Sequence, residues 1–323
     1  MTVATSGRAR SEPGTAGGHP DVDDAHRHAA AADARFDDVP GGRSDFARIG
    51  GLDVHYAVAG RGDVDLLLLH HFYGNVRTWR RLMHELADDA RLVAFDRPGF
   101  GWTERPTAPE VRRHAYTRAT ASALALGLLD HLGIDRAVMV GASAGGTLAL
   151  RLAAEHPDRV AGLVLLAPAV GGDVGPPASL RPFLRTAPAR AVGSRIVRRA
   201  GRTIDHARVG NRWADPSLVT DDDVAAYAAA LTTPRWSAGL WDAMTAEDPP
   251  TLWRRLSGIT ASALVLAGDQ DRVVHPRWAR RAADLLPNGR FQLLEHTGHT
   301  PHEERPDLVA AAIREFLDKT ELH

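Results

Sequence analysis

The chain has 323 residues, 44% apolar and 24% charged, with a net charge of −1 and no cysteine. That length buries a full core in one large or two smaller domains without covalent staples. The missing cysteines exclude disulfides, thiolate nucleophiles and cysteine-held zinc or iron–sulfur centres and suit a reducing, cytoplasmic setting; the near-zero charge argues against a nucleic-acid partner, and no apolar run reaches the ~18 residues of a membrane span.

Residues 1–44 read as a disordered tail. They carry Gly7, Gly14, Gly17, Gly18, Pro13, Pro20 and Pro40 but no Leu, Ile or Trp, so little apolar surface offsets the entropy of ordering them. His19, His26 and His28 lack the carboxylate pattern that supports metal-bound histidines and read as solvated, so no metal is expected. From residue 45 the pattern changes. Phe46–Ile49 and Leu52–Ala59 around Gly50-Gly51 predict a hairpin. Asp65–His70 contains four consecutive leucines, the mark of a strand buried on both faces and hence of a parallel sheet. Further strands are expected at Arg91–Phe95, Ala137–Val140, Val160–Leu166 and Ala263–Ala267, with a weaker one at Phe291–Leu294. Helices are expected at Trp79–Ala87, Ala115–Leu132, Gly145–Glu155, Arg277–Leu286 and Asp307–Asp318. The alternation predicts an α/β fold, a mostly parallel sheet with helices on both faces and right-handed crossovers.

Residues 171–255 break the alternation and predict a helical lid inserted into a core of residues 45–170 and 256–323. The lid holds Trp213, Trp236, Trp241 and Trp253. Of these, Trp213, Trp236 and Trp241 are candidates to contact substrate, because ligands of open α/β sheets bind beyond the carboxyl ends of the strands. Between Arg181 and Arg212 stand nine arginines against the single Asp205, a net +8 with apolar residues interleaved. Such a segment can touch an anionic membrane surface weakly or attract anionic substrates; in an arginine-rich chain the simpler expectation is a solvated face.

Gly141-Ala142-Ser143-Ala144-Gly145 follows a predicted strand and opens a predicted helix, the context that a G-x-S-x-G elbow requires. The turn leaves no room for side chains on either flank and lifts the serine to a helix N-terminus, where free N–H groups and the helix dipole stabilise negative charge. Downstream, Gly268-Asp269-Gln270-Asp271 and Gly298-His299-Thr300-Pro301-His302-Glu303-Glu304-Arg305-Pro306 each follow a predicted strand, placing acid and base candidates on the sheet edge of Ser143.

In these motifs, residues 46–318 resemble the α/β-hydrolase fold family, in its lidded serine esterase, C–C hydrolase and cofactor-free haloperoxidase branch. The resemblance implies an eight-stranded-type sheet and a catalytic triad of Ser143 as nucleophile, His299 as base and Asp271, rather than Asp269, as acid. It also implies an oxyanion hole from the backbone N–H groups of Ala144 and Phe72. In that family the loop after the leucine strand reads His-Gly-x-x-Gly; here it reads His70-His71-Phe72-Tyr73-Gly74. His71 therefore stands in a glycine position, with either negative φ or strain, and with Tyr73 becomes a candidate substrate contact. Asp96-Arg97-Pro98-Gly99-Phe100-Gly101-Trp102-Thr103 reads as structural.

The expected activity is a carboxylic ester hydrolase acting through an acyl-enzyme on a small apolar ester or lactone. C–C bond hydrolysis and perhydrolase or haloperoxidase chemistry share the triad, and a non-catalytic small-molecule receptor on the same scaffold is the alternative from another class. Serine at 143 argues against the epoxide hydrolases and haloalkane dehalogenases of this fold, which place aspartate there. No phosphate or dinucleotide fingerprint occurs, so no cofactor is expected, and the chain is expected as a monomer or homodimer.

Overall fold

The computed structural model describes residue 36 and residues 38–170, 176–246 and 252–320. His19, His26 and His28, and parts of the expected tail and lid, lie outside these residues. The described residues form one sheet of β1 (Arg43–Ile49), β2 (Leu52–Ala59), β3 (Val64–Leu69), β4 (Ala90–Phe95), β5 (Ala137–Ala142), β6 (Val160–Leu166), β7 (Ala263–Gly268) and β8 (Gly289–Leu294). Their order is β1-β2-β4-β3-β5-β6-β7-β8. β2 runs antiparallel to β1 and β4, and every other pairing is parallel. Gly50 and Gly51, at φ 56° and 79°, supply the two positive-φ positions of a hairpin turn between β1 and β2.

The leucine run shows why the sheet needs two covers. Leu67 and Leu69 belong to one hydrophobic cluster with Leu124, Leu128 and Leu148, whereas Leu66 and Leu68 belong to the other with Trp79, Leu82 and Ile313. Successive side chains of a strand point to opposite faces, so four leucines in a row serve both layers. The first layer includes the helices Arg118–His131, Ala144–Glu155 and Pro276–Leu285, and the second Arg80–Leu86 and Pro306–Lys319. The long helix expected over Ala115–Leu132 is divided in two, Pro109–Ala115 and Arg118–His131. Thr117 caps the second, its hydroxyl accepting the Thr120 N–H, which is the N-cap role of threonine. β8 is an edge strand with several half-buried residues, in keeping with its weak apolar pattern.

Between β6 and β7 the described residues contain helices and turns and no strand. The chain reverses its direction of growth across the sheet at β3, with β4 on one side and β5 on the other. That is a topological switch point, where the loops leaving two neighbouring strands diverge and open a crevice.

The tail boundary expected at residue 44 is corrected. Phe36 and Val39 are 1% and 2% exposed and pack in the second cluster. Gly42 N–H donates to Val39 O and Gly60 N–H to Pro40 O, and β1 begins at Arg43. Two apolar side chains and a few backbone bonds outweigh the Gly/Pro-rich composition. Deleting residues 1–44 is therefore expected to lower the melting temperature by more than about 5 °C, since burying each of two such side chains contributes roughly 1.5–3 kcal/mol; a thermal melt of the truncated chain checks it.

Candidate active site

Ser143 joins β5 to the helix Ala144–Glu155 at φ 49° and ψ −111°, a conformation that a residue with a β-carbon holds only when its surroundings impose it. The flanking glycines explain the imposition. A Cβ on Gly145 would lie 1.8 Å from Leu69 O at the end of β3, and one on Gly141 would lie 2.5 Å from Gly145 O. The elbow packs against the neighbouring strand with no space for a methyl group on either side. Ser143 N–H donates to Leu166 O at 2.8 Å, tying the elbow to β6 as well. The side chain is 6% exposed. Ala144 opens the helix, so its N–H is among those with no acceptor one turn earlier.

His299 follows β8, and its Nδ1 lies 2.8 Å from Asp271 Oδ2. Asp271 follows β7, and its other oxygen accepts the N–H groups of Val273 and Val274, each at 2.8 Å. Three donors around an acceptor-only carboxylate require the proton to sit on Nδ1 of neutral His299, which leaves Nε2 as the basic nitrogen. Asp269 is exposed and accepts the Thr297 N–H at 3.1 Å; it ties the two loops together and does not hold the imidazole. Ser143, Asp271 and His299 thus leave the same carboxyl edge of the sheet.

The insertion between β6 and β7 is fastened to the loop after β8. His299 N–H donates to Arg212 O at 2.6 Å, and Glu304 accepts the N–H groups of Gly298, Ala214 and Asp215 at 2.7, 2.7 and 2.9 Å. A Cβ on Gly298 would lie 2.3 Å from Arg212 O, so this contact needs a glycine.

Residues 66–306 match the family model described as the alpha/beta hydrolase fold. The chain belongs to that family. This α/β hydrolase is 26% identical over 270 residues to the uncharacterized hydrolase YugF of Bacillus subtilis (strain 168), spanning 81% of this chain and 92% of that protein. It is 29% identical over 237 residues to a 2-hydroxymuconate semialdehyde hydrolase of Pseudomonas putida, spanning 70% and 76%. Its fold is similar to that of the enol-lactonase from Burkholderia xenovorans LB400, with a TM-score of 0.68 and 24% identity over 85% of this chain and all of that one.

A cavity of about 480 Å³ lies between the lid and the sheet edge of the hydrolase. Its wall includes Phe100, Ile196, Leu231, Trp236, Leu240 and Met244, with Arg105, Arg208 and Arg212 and, among the described residues, no acidic one. Burial lowers Arg105 to about 10, so it stays charged at neutral pH. Of the residues expected to contact substrate, Tyr73 and Trp236 line this cavity. Ser143 and His299 are not in its wall; the backbone bond from His299 N–H to Arg212 O joins a lining residue to the loop after β8.

Three expected contacts are corrected. Trp213 is 1% exposed and forms the lid's own core with Val209, Val219 and Tyr227, beneath the Arg81 guanidinium. Trp241 packs its ring on Gly193 and donates its indole N–H to Leu184 O at 3.0 Å. His71 is 1% exposed; its Nε2 lies 2.9 Å from Glu303 Oε1 and 3.1 Å from the Tyr227 hydroxyl. The positive φ of this loop falls at Tyr73, 71°, and not at His71. The imidazole in the glycine position thus turns inward and braces the loop that carries Phe72, whose N–H donates to no backbone acceptor among the described residues. Asp96 is structural as expected, accepting the N–H groups of Val76 and Trp102 and bonding His55.

Glu303, Tyr227 and His302 are not legible as site residues, because Tyr227 comes from the insertion and the adjacent His302 and Glu303 from the core, 75 or more residues apart in the chain. His71, His302 and Glu303 place donor atoms within 4.8 Å of one another, all buried, and are the group among the described residues that could hold a cation; His71 and Glu303 already bond each other and Tyr227. Burial holds His71 below the ordinary histidine range against the pull of Glu303. Burial also raises Glu303, but bonds from His71 and Tyr227 bring it net below its ordinary value. Burial takes His302 down to about 3. The unfolded chain protonates a histidine below about 6.5 while folded His302 stays neutral, so stability falls as pH drops from about 6.5 toward 3. Wild type is expected to lose about 2 kcal/mol through this group between pH 7 and 5, and His302→Gln to lose that much less over the same interval, read from denaturant unfolding at both pH values.

Proposed function

We propose that this hydrolase cleaves a carboxylic ester or lactone of a small apolar substrate through an acyl-enzyme on Ser143. The observation that carries the reading is the His299–Asp271 bond on the same sheet edge as a serine held at positive φ. A serine hydroxyl is a weak nucleophile at neutral pH and needs a base. In the proposed cycle His299 Nε2 takes the Ser143 proton as Oγ attacks the acyl carbon. The N–H groups of Ala144 and Phe72 receive the oxyanion, each worth roughly 3 kcal/mol. The imidazolium, stabilised by Asp271, protonates the leaving group; a water activated by the same nitrogen then releases the acid. The apolar wall and the arginines of the cavity favour apolar acyl groups and disfavour cationic ones.

The likeness to 2-hydroxymuconate semialdehyde hydrolase supports a second reading, C–C bond hydrolysis by the same residues. A panel of esters, lactones and vinylogous 1,5-diketones on the purified protein separates the two. In either case Ser143→Ala is expected to fold normally, to lose labelling by a fluorophosphonate and to lose turnover by up to about 10⁶-fold. Retention of a tenth of the activity rejects the nucleophile. Asp271→Asn is expected to reduce kcat by about 10⁴-fold, because an amide there favours the wrong imidazole tautomer. Asp269→Asn is expected to cost far less, and parallel kinetics of the two variants test the assignment.

A further inference from the structure

The lid helix Ala187–Ala200 has two working sides. One packs Gly193 against the Trp241 ring and contributes Ile196, Val197 and Ala200 to the cavity wall. The other carries Val192, Arg195 and Arg199, at i, i+3 and i+7 on one helix face. Val192 is 55% exposed, and on the preceding segment Leu180 and Phe183 are 51% and 68% exposed. Single exposed apolar residues are ordinary, but three large ones on one small insertion mark an interaction surface.

The charges beside Val192 on that helix identify the partner. Of the nine arginines between 181 and 212, Arg190 pairs with Asp242, Arg208 bonds lid carbonyls and Arg212 lies over Tyr73 and Tyr227. Arg195, Arg198, Arg199 and Arg202 are exposed, and no acidic partner stands against them among the described residues. A nucleic acid would call for the cations without the aliphatic and aromatic side chains between them. Interleaved arginines and apolar side chains match the boundary between anionic headgroups and acyl chains, where such a helix lies in the plane of the surface.

We propose that the lid docks on an anionic lipid surface, with Phe183 and Val192 entering the acyl boundary and Arg195 and Arg199 meeting the headgroups. Because the same helix walls the cavity, docking would hold the cavity against the lipid. This inference stands apart from the catalytic assignment.

The test is sedimentation of the full chain with vesicles of phosphatidylcholine alone or with 30 mol% phosphatidylglycerol. At low salt, binding to the anionic vesicles is expected to exceed binding to the neutral ones at least tenfold and to fall steeply at 0.5 M salt. Phe183→Ser/Val192→Ser and Arg195→Gln/Arg199→Gln are each expected to weaken binding at least fivefold with an unchanged melting temperature. Equal binding to both vesicle types by wild type overturns the proposal without recourse to a variant. Wild-type binding by the serine double variant overturns the insertion of apolar side chains. Binding to duplex DNA as tight as to anionic vesicles, insensitive to the serine substitutions, assigns the surface to a polyanion instead.

Discussion

The approach of the elbow helix to β3 is the constraint on which the rest of the structure depends. Gly145 lies so close to Leu69 O that a β-carbon would overlap it, and Gly141 is closed in the same way by the first turn of the helix. This contact draws the N-terminus of the helix beside the end of β3, at the place where β4 and β5 diverge. Two loops with different origins, His70–Gly74 and the elbow, are thereby held side by side. Strain at Ser143 is sustained because β3, β6 and the helix all hold the backbone around it.

The remaining parts of the site are attached to this frame by buried polar contacts. Glu304 takes one N–H from the loop after β8 and two from the insertion, so one carboxylate bridges the two beside the His299–Arg212 backbone bond. Glu303, one residue earlier, does the same between the loop after β3 and the lid through His71 and Tyr227. Adjacent carboxylates on one short turn therefore clamp three loops. Acceptors that receive two or more N–H or O–H donors in a buried setting are costly to remove, since the donors would be left without partners. The burial of His71 and His302 makes the same region sensitive to acid.

The lid faces two environments. Its inner side supplies apolar residues and arginines to the cavity, and its core is a small cluster around Trp213. Its outer side leaves Leu180, Phe183 and Val192 more than half exposed. A helix with one face against the protein and an exposed valine among arginines on the other is not explained by the stability of the chain alone.

Period and spacing already determined the sheet, because consecutive leucines in β3 can be buried on both faces only between two helical layers. They determined the elbow too, because Gly-x-Ser-x-Gly is demanded by contacts within a few residues and with the adjoining strand. Asp271 and His299 could be expected together on one sheet edge for a similar reason: each stands just past a strand end, and the resemblance to the family's motifs chose between neighbouring candidates. Tertiary structure alone decided the rest. Phe36 and Val39 look isolated in a Gly/Pro-rich segment until they reach a groove on the second layer. Trp213 and Trp241 cannot be told from pocket residues until the lid folds on itself. His71 acquires its orientation from Glu303, 232 residues away, and no local pattern encodes a bond between groups that distant in the chain.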